Sequence, residues 1–277
     1  MLHIRSLYAI LEDTTMNIAY WNTKNNNNID SIIDILTCKN IDILFLSETK
    51  KEFIEINNDN LLKNGFEYFE NPGCERVAII KKTSFEIELK QQNYYYTVVR
   101  DTKDDINVIS IHSPSQMFQN MKALKEFIRD FRNTIDNEIG SSLEKKIIVI
   151  GDFNINPHEE AMIDFDGFLA TNTTRGRQTI THLTKQRTTY YNPTWQLYSR
   201  TNFPGTKAFK RPSASVYDVL EHHLLDQAVI SQNLLSSLQS DSIEVIEDTV
   251  NFTFFDKVKN TTLGSDHLPL LYTFKLK

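Results

Sequence analysis

Short apolar runs that end in polar residues recur along the chain and predict its strands. Four of these runs end in residues that can carry chemistry: 16–21 before Asn22, 41–46 before Ser47 and Glu48, 107–111 before His112, and 147–151 before Asp152. A short apolar run bounded by turn formers is typical of a buried strand. Because Asp and Asn also end strands simply by suiting turns, none of these residues is informative alone.

The remaining apolar runs and two amphipathic stretches complete the predicted elements. Further strands are expected at 66–69, 76–81, 85–89, 94–100, 224–231 and 268–274. One helix is expected at 29–39, and a second follows the apolar stripe Met117, Met121, Leu124, Ile128, Phe131 and Ile135. Many strands with a few helices between them indicate an α+β chain in which two sheets pack together and helices lie outside.

The domain organisation follows from length and composition. Of the 277 residues, 40% are hydrophobic, which is enough for a sizeable core. No repeat of fixed period or compositional break divides the chain, so residues 16–277 are expected to form a single domain. Met16 directly precedes the first predicted strand, and residues 1–15 are therefore expected to be an N-terminal arm or the product of an alternative start.

The same composition bears on location. No apolar run reaches the roughly 18 residues of a transmembrane helix, and residues 1–15 lack the cleavage site of a signal peptide. The two cysteines, Cys38 and Cys74, have neither metal-binding spacing nor the pattern of a disulfide framework. Free thiols fit a reducing compartment, and we expect a cytoplasmic protein without a membrane segment.

The charge of the chain is unevenly distributed. Its net charge is −6, yet residues 167–217, named here the cationic segment, contain eight Lys and Arg residues and no Asp or Glu. Tyr190, Tyr191, Trp195 and Tyr198 lie among these cations and could stack on bases. The pattern favours a surface that contacts a polyanion, while a loop with solvated side chains is the alternative. The candidate substrate-binding residues are Arg175, Arg177, Lys185, Arg187, Tyr191, Asn192, Trp195, Lys207, Lys210 and Arg211.

The polar residues at the strand ends suit the hydrolysis of a phosphate ester. They offer carboxylates, imidazoles and amides at Glu48, Asp152, Asp226, His112, His267, Asn22 and Asn154. A hard cation held by a few carboxylates neutralises a phosphate, a positioned base takes a proton from water, and a donor supports the leaving oxygen. The other histidines, His158, His182 and the pair His222 and His223, are interpreted as incidental or surface residues.

Six short motifs together resemble the endonuclease/exonuclease/phosphatase superfamily, which includes the deoxyribonuclease I-like enzymes. They are Trp21-Asn22, Leu46-Ser47-Glu48, Ile111-His112, Gly151-Asp152-Phe153-Asn154, Leu225-Asp226-Gln227 and Ser265-Asp266-His267-Leu268-Pro269. They occur in the order of the family from Met16 onwards. The stretch 191–195, followed by 204–206 and 224–231, also resembles uncharacterised bacterial members. The resemblance implies a four-layer αββα sandwich of two packed mixed β-sheets flanked by helices.

The resemblance also implies a metal site. Glu48 would be the Mg²⁺ ligand, with Asn22 beside it on metal or phosphate and Asp266 close to the metal, and Mn²⁺ could replace Mg²⁺. Some members place a second acid two residues beyond the motif asparagine, where this chain has Lys24. One tightly held metal is therefore favoured, and a second metal is left open.

The remaining roles that the resemblance implies concern the water and the phosphate. Asp152 would activate or orient the attacking water, and Asn154 would contact the scissile phosphate. His267 would bind the phosphate, held in one tautomer by Asp226. His112 would donate to the phosphate or the leaving group, a role that a tyrosine fills in another branch of the superfamily.

Three functions are consistent with these observations. The favoured one is a Mg²⁺-dependent nuclease that hydrolyses DNA or RNA, with nucleic acid as its partner and no obligate protein partner evident. The second is a phosphoesterase acting on inositol phosphates or a lipid headgroup, and the third is a nucleic-acid-binding protein without activity. Because one fold serves many substrates, the fold does not choose among them.

Overall fold

The computed structural model describes residues 14–115, 121–199, 209–210, 222–239 and 241–276. The strands are, in chain order, β1 (Thr14–Asn22), β2 (Ile43–Ser47), β3 (Phe66–Phe69), β4 (Val77–Lys82), β5 (Ile87–Gln92), β6 (Tyr96–Asp101), β7 (Ile106–His112), β8 (Lys146–Asp152), β9 (Ala170–Thr171), β10 (Thr179–His182), β11 (Lys185–Thr188), β12 (Tyr190–Tyr191), β13 (Phe209–Lys210), β14 (His222–His223), β15 (Asp226–Ser231), β16 (Ile243–Val245), β17 (Phe255–Asp256), β18 (Thr261–Thr262) and β19 (Leu270–Leu276).

The helices are short, with two exceptions. They are α1 (Ile29–Cys38), α2 (Lys51–Ile56), α3 (Asn58–Lys63), α4 (Met121–Glu138), α5 (Glu160–Ile163) and α6 (Gln196–Ser199), together with two 3₁₀ helices at Pro193–Trp195 and Gln232–Ser237. The side chain of Asn28 caps α1 by accepting a hydrogen bond from the Ser31 amide at 3.2 Å. Among the described residues, no helix has the length and apolar character needed to cross a membrane.

Two large mixed sheets carry most of the strands. The first has six strands in the order β16-β19-β1-β2-β4-β3, and the second has seven in the order β5-β6-β7-β8-β15-β12-β9. In the first sheet β1 runs parallel to β2 and antiparallel to β19. In the second sheet β7 runs parallel to β8, which pairs with β15 antiparallel. Smaller two-stranded pairs join β10 to β11, β13 to β14 and β17 to β18.

Alternation along the central strands explains how the sheets stack. Ile18 of β1 and Ile148 of β8 belong to one buried cluster, which lies between the two sheets. Their neighbours Ala19 and Val149 point the other way, Ala19 into a cluster with α1 and Val149 into a cluster with α4. Because successive strand residues face opposite sides of a sheet, each sheet buries both faces. The layers are helix, sheet, sheet and helix, and the predicted four-layer α+β sandwich is confirmed.

The long amphipathic helix matches most of its predicted apolar face, although Met121 at its start is 44% exposed. In α4 the side chains of Leu124, Ile128, Phe131 and Ile135 are buried against the second sheet. Met117, the first residue of the predicted stripe, lies outside the described residues. Burial of this stripe is the main contribution that α4 makes to folding, since a helix of this length gains little from propensity alone.

Candidate active site

The ends of several strands meet at one edge of the two sheets. Asn22 at the end of β1 pairs in register with Ser47, the residue before Glu48. In the second sheet His112 pairs with Asp152, and Asp152 pairs with Asp226 at the start of β15. The polar residues predicted from separate apolar runs are therefore brought together because parallel strands end at the same edge.

Asn22 links the two sheets through its side chain. Its Nδ2 donates to Glu48 Oε1 at 3.1 Å and lies 3.4 Å from Asp152 Oδ2. Asn22 and Asp152 are buried, whereas the Glu48 side chain is 37% exposed. The two carboxylates thus share one amide donor, with Glu48 on the solvent side.

The backbone at Glu48 is held in an unfavourable conformation. Its φ of 50° places a non-glycine residue in the left-handed region. The Glu48 carbonyl accepts hydrogen bonds from the Asn25 amide at 2.7 Å and from Thr23 Oγ1 at 3.0 Å. Beneath it, Tyr20 Oη and Ser47 Oγ are 2.6 Å apart in the core. These contacts stabilise the strained residue and aim its carboxylate at Asn22.

The turn after β8 positions Asp152 and Asn154. The Asn154 amide donates to Asp152 Oδ1 at 2.7 Å, and Asn154 Nδ2 donates to the Ser113 carbonyl at 3.0 Å. Asn154 is also left-handed, with a φ of 54°. Burial raises the pKa of the Asp152 carboxyl, although the neighbouring His267 opposes the effect.

A glycine permits the close approach of the strands behind this turn. A Cβ on Gly151 would lie 1.8 Å from the carbonyl oxygen of Ile111, far inside van der Waals contact. The Gly-Asp-Phe-Asn motif therefore has a steric reason for its first residue, because β7 and β8 could not pair at this point around a side chain.

His267 and Asp226 form a buried hydrogen-bonded pair. His267 Nδ1 is 2.7 Å from Asp226 Oδ2, and both side chains are at most 6% exposed. Burial by itself would lower the pKa of His267, but the bonded Asp226 carboxylate outweighs it and raises this pKa to about 9. The Trp21 indole donates to the His267 carbonyl at 3.1 Å, and the His267 amide donates to Ser265 Oγ at 3.1 Å. Asp226 therefore holds the imidazole of His267, and Trp21 and Ser265 hold its backbone.

His112 is electrostatically different from His267. Its Nε2 lies 3.8 Å from Glu48 Oε1 and 3.9 Å from Asp152 Oδ2. Burial lowers the pKa of His112 to about 4, although Glu48 acts in the opposite direction. The site thus holds a neutral imidazole and a protonated one at neutral pH.

Asp266 lies beside the cluster and has a separate partner. Its Oδ2 accepts a hydrogen bond from Lys24 Nζ at 2.7 Å, with the Lys24 side chain half exposed. Lys24 lies two positions beyond the motif residue Asn22. Its ammonium neutralises Asp266, which works against a second cation at this position.

The oxygen donors of the site suit a hard divalent cation. Among the described residues, Asp152, Asp226 and His267 each offer a ligand atom within 4.8 Å of the others. His267 Nδ1 and Asp226 Oδ2 already bond each other, which leaves Asp152 as the carboxylate of this group that could hold a metal, while Glu48 lies outside the group and shares the Asn22 amide with Asp152. Glu48 stays the predicted metal candidate, and Asp152, predicted from the sequence to activate or orient the attacking water, is a second one.

The cationic segment divides into buried and exposed residues. Asn192 is fully buried, and its Nδ2 donates to Gln227 Oε1 at 2.7 Å, so it does not face solvent as expected. Tyr191 is also buried. Arg187 donates to the Phe165 carbonyl at 2.9 Å and pairs with Asp136 at 3.4 Å, so its charge is used inside the protein.

The remaining cations of the segment are exposed or outside the described residues. Arg175, Arg177 and Lys185 are exposed, and Trp195 is half-buried. Trp195 packs against Tyr198 and His158, with ring centroids 5.8 Å and 6.4 Å away. Lys207, Arg211 and the side chain of Lys210 lie outside the described residues.

One histidine lies where the sequence did not place it. His223 is expected from the sequence to be a surface residue, yet it is only 4% exposed. Its Nδ1 is 3.1 Å from Asn156 Nδ2, and Asn156 Oδ1 accepts from the Leu224 amide at 3.0 Å. This contact joins the loop after β8 to β14, and no local sequence pattern connects the two residues, which are 67 positions apart.

The fold is similar to several solved structures. No protein-family model matches the sequence, and no curated protein matches it either. D. rerio TDP2 complexed with single strand DNA product is 14% identical with a TM-score of 0.58, covering 95% of this chain and 99% of that chain. An AP endonuclease from Archaeoglobus fulgidus is 15% identical with a TM-score of 0.58, covering 94% and 100%.

A bacterial structure shows the same likeness. An endonuclease/exonuclease/phosphatase family protein from Bacteroides thetaiotaomicron is 14% identical with a TM-score of 0.55, covering 96% of this chain and 99% of that chain. At identities of 14% to 15%, the similarity shows the fold of the chain alone. The chain therefore has the fold of the endonuclease/exonuclease/phosphatase superfamily, as its motifs predict.

Proposed function

We propose that the chain is a Mg²⁺-dependent nuclease that hydrolyses phosphodiester bonds of DNA or RNA by in-line attack of an activated water. The observation that carries this proposal is the convergence of Glu48, Asn22, Asp152, His112 and the His267–Asp226 pair at one edge of the sheets. Three carboxylates, one of them paired with an imidazole, an amide and two imidazoles of different charge are groups that such a hydrolysis can use.

Glu48 and Asp152 would hold the cation. Their carboxylates share the Nδ2 donor of Asn22, and the Glu48 side chain is 37% exposed, which leaves access from solvent. A Mg²⁺ bound there, or Mn²⁺ in its place, would neutralise the phosphate and polarise it for attack. The electrostatic setting of the site fits a cation, because a cation bound there would reduce the free-energy cost of burying the Asp152 carboxylate.

The other residues orient the water and stabilise the phosphate. Asp152 activates or orients the attacking water from its buried position beside the cation. Since Asp226 occupies Nδ1 of His267, Nε2 is the nitrogen that can donate to a phosphate oxygen. Asn154 and His112 supply further donors around the phosphate and the leaving oxygen.

The choice of nucleic acid as substrate has two supports. Among proteins of this fold, TDP2 is known complexed with a single strand DNA product and another is an AP endonuclease. Arg175, Arg177 and Lys185 are exposed cations of the segment that follows the Asp152 turn.

The two free cysteines, Cys38 and Cys74, support the proposed location in the cytoplasm.

A panel of substrates tests the proposal. Single- and double-stranded DNA and RNA are incubated with the full chain in Mg²⁺, Mn²⁺ or chelator, beside His267→Ala and the exposed control Glu126→Gln on α4. Metal-dependent cleavage that His267→Ala loses and Glu126→Gln keeps is expected. Release of inorganic phosphate from inositol phosphates or cleavage of a lipid headgroup, without nuclease activity, would replace the proposal with the second function. Binding of nucleic acid without turnover in either metal would indicate the third.

A further inference from the structure

A cleft of about 640 Å³ opens beside the catalytic residues. Glu48 and His112 line part of it, and Lys50, Arg76 and Tyr94 line another part. Its volume lies within the roughly 300–1,000 Å³ of small-molecule sites in proteins. No sequence motif includes the second group of residues, and the mechanism above does not use them.

Arg76 and Tyr94 form a unit on the wall of this cleft. The Arg76 guanidinium carbon lies 5.2 Å from the centroid of the Tyr94 ring, within the range of a cation–π contact. The amides of Glu75 and Arg76 both donate to the Tyr94 carbonyl at 3.2 Å. Tyr94 is nevertheless 47% exposed, which is high for an aromatic ring in so constrained a backbone.

The surrounding loops hold this unit rigidly with respect to the active site. Lys51 Nζ donates to Asn71 Oδ1 at 2.8 Å and to the carbonyls of Asn71 and Cys74, which fixes the loop that leads to Arg76. On the other side, the His112 amide donates to the Tyr95 carbonyl at 2.9 Å. The Tyr94 turn is therefore tied directly to a catalytic strand end, and this preorganisation favours ligand binding.

The charges of the cleft restrict the ligand. Its lining contains three basic residues, Lys50, Lys51 and Arg76, and three acidic ones, Glu48, Glu52 and Glu75. Because Lys51 is committed to the loop, the cleft cannot neutralise a cluster of phosphates. Within it, Arg76 Nε is buried and donates no hydrogen bond to any described residue. One anionic group and one aromatic ring match these features.

We propose that this cleft binds the nucleotide next to the scissile phosphate, with its base stacked on Tyr94 and its phosphate bound by Arg76. The assignment rests on the proposed nuclease function and makes single-stranded nucleic acid the substrate, because the faces of a base inside a duplex are covered by its neighbours and cannot stack on a ring. It also disfavours inositol polyphosphates, whose clustered charge the balanced lining of the cleft would leave without enough cationic partners. Base–aromatic stacking tolerates any base, so little sequence preference is expected.

A double-mutant cycle that combines removal of a substrate base with removal of the Tyr94 ring tests this assignment. DNA and RNA oligonucleotides with one cleavable linkage carry either a base or an abasic analogue at the nucleotide on each side of it. In wild type, removal of one base should lower kcat/KM by about 5- to 100-fold, the range that stacking of a single base contributes. In Tyr94→Ala the same removal should cost less than about twofold, since the two changes delete one contact. Tyr94→Phe should restore the penalty.

Two further variants and a binding measurement complete the test. Arg76→Gln should weaken the binding of every oligonucleotide, with or without the base. Arg129→Gln, which replaces a surface arginine on α4, should leave the loss caused by base removal unchanged. An equal penalty for base removal in wild type and Tyr94→Ala would overturn the assignment. Anisotropy of the same labelled oligonucleotides in chelator measures the penalty without turnover. If wild type cleaves nothing yet shows the Tyr94-dependent penalty in Kd, the nuclease function fails, and the cleft is a nucleotide-binding site without a scissile phosphate beside it.

Discussion

His267 Nδ1 and Asp226 Oδ2 lie 2.7 Å apart at the base of the site, joining the start of β15 to the loop before β19. The carboxylate raises the pKa of the imidazole to about 9 against the effect of burial. Because His267 is then protonated at neutral pH, it can donate to a phosphate oxygen without first acquiring a proton. Asp226 is a positioning residue in this scheme, since it acts through the imidazole.

Asp226→Asn should change the pH profile as well as the rate. Wild-type kcat/KM is expected to fall as pH rises through about 9, where His267 loses its proton. Without the carboxylate the pKa of His267 should move down, so the decline should begin at lower pH. The rate at neutral pH should drop on the order of 10²- to 10⁴-fold, as for other buried histidine–carboxylate pairs.

The same pair should contribute to stability with a definite sign. The pKa of His267 is raised above the unfolded value of about 6.5, so its stabilisation is complete below that pH and is lost as pH rises through about 9. The difference in Tm between wild type and Asp226→Asn should therefore shrink from about pH 6 to about pH 10. Asp130→Asn, which removes an exposed carboxylate on α4, is the control and should show no such trend. A pH-independent difference would contradict the assignment.

Glu48→Gln should weaken the metal site without unfolding the protein. Loss of even an outer partner of a metal ligand typically costs about 10- to 100-fold in metal affinity, and a direct ligand should cost at least as much. Calorimetric titration with Mn²⁺ should show one ion per chain in wild type, since Lys24 neutralises Asp266. Glu126→Gln on α4 serves as the charge-matched control. Unchanged Mn²⁺ affinity in Glu48→Gln would exclude Glu48 as a ligand.

Much of the site was accessible from the sequence because its residues follow apolar runs. Asn22, Glu48, His112 and Asp152 each end a buried strand, and parallel pairing brings those ends to one edge. The long strands and α1 and α4 were predicted for the same reason, since periodicity is strong over many residues. The two-residue strands β9 and β12 carry no such signal and were not predicted.

Interactions between distant residues account for what sequence reasoning missed. The sequence predicts that Arg187 binds substrate, but in the structure it pairs with Asp136, which lies 51 residues earlier. The sequence around an arginine does not show whether its partner is a ligand or a distant residue of the same chain. Arg76 and Tyr94 belong to no motif, and only the fold brings them together at the cleft. His223 is likewise buried beside a distant residue, since its Nδ1 lies 3.1 Å from Asn156 Nδ2.

Gly151→Ala should destabilise the protein strongly. The added Cβ would lie 1.8 Å from the Ile111 carbonyl oxygen, so β7 and β8 must separate at the point that carries His112 and Asp152. We expect a loss of several kcal/mol, comparable with severe overpacking of a core. Gly65→Ala is the matched control: its φ is 84°, but nothing lies within 4 Å of its Cβ, so only backbone strain of about 1 kcal/mol is expected. Chemical denaturation measures both, and equal losses would contradict the steric argument.

Arg175, Arg177 and Lys185 should contribute to binding through phosphate contacts rather than through stability. They are exposed, in contrast to Arg187, so replacement of each by Gln should leave Tm within about 1 °C of wild type. Removing one phosphate-binding cation should reduce the slope of log Kd against log salt concentration by about 0.7 for single strands. Anisotropy of a labelled single-stranded oligonucleotide across a salt series measures this slope, with Arg129→Gln on α4 as the control. If the three variants keep the wild-type slope, Arg175, Arg177 and Lys185 are solvated side chains that make no phosphate contacts.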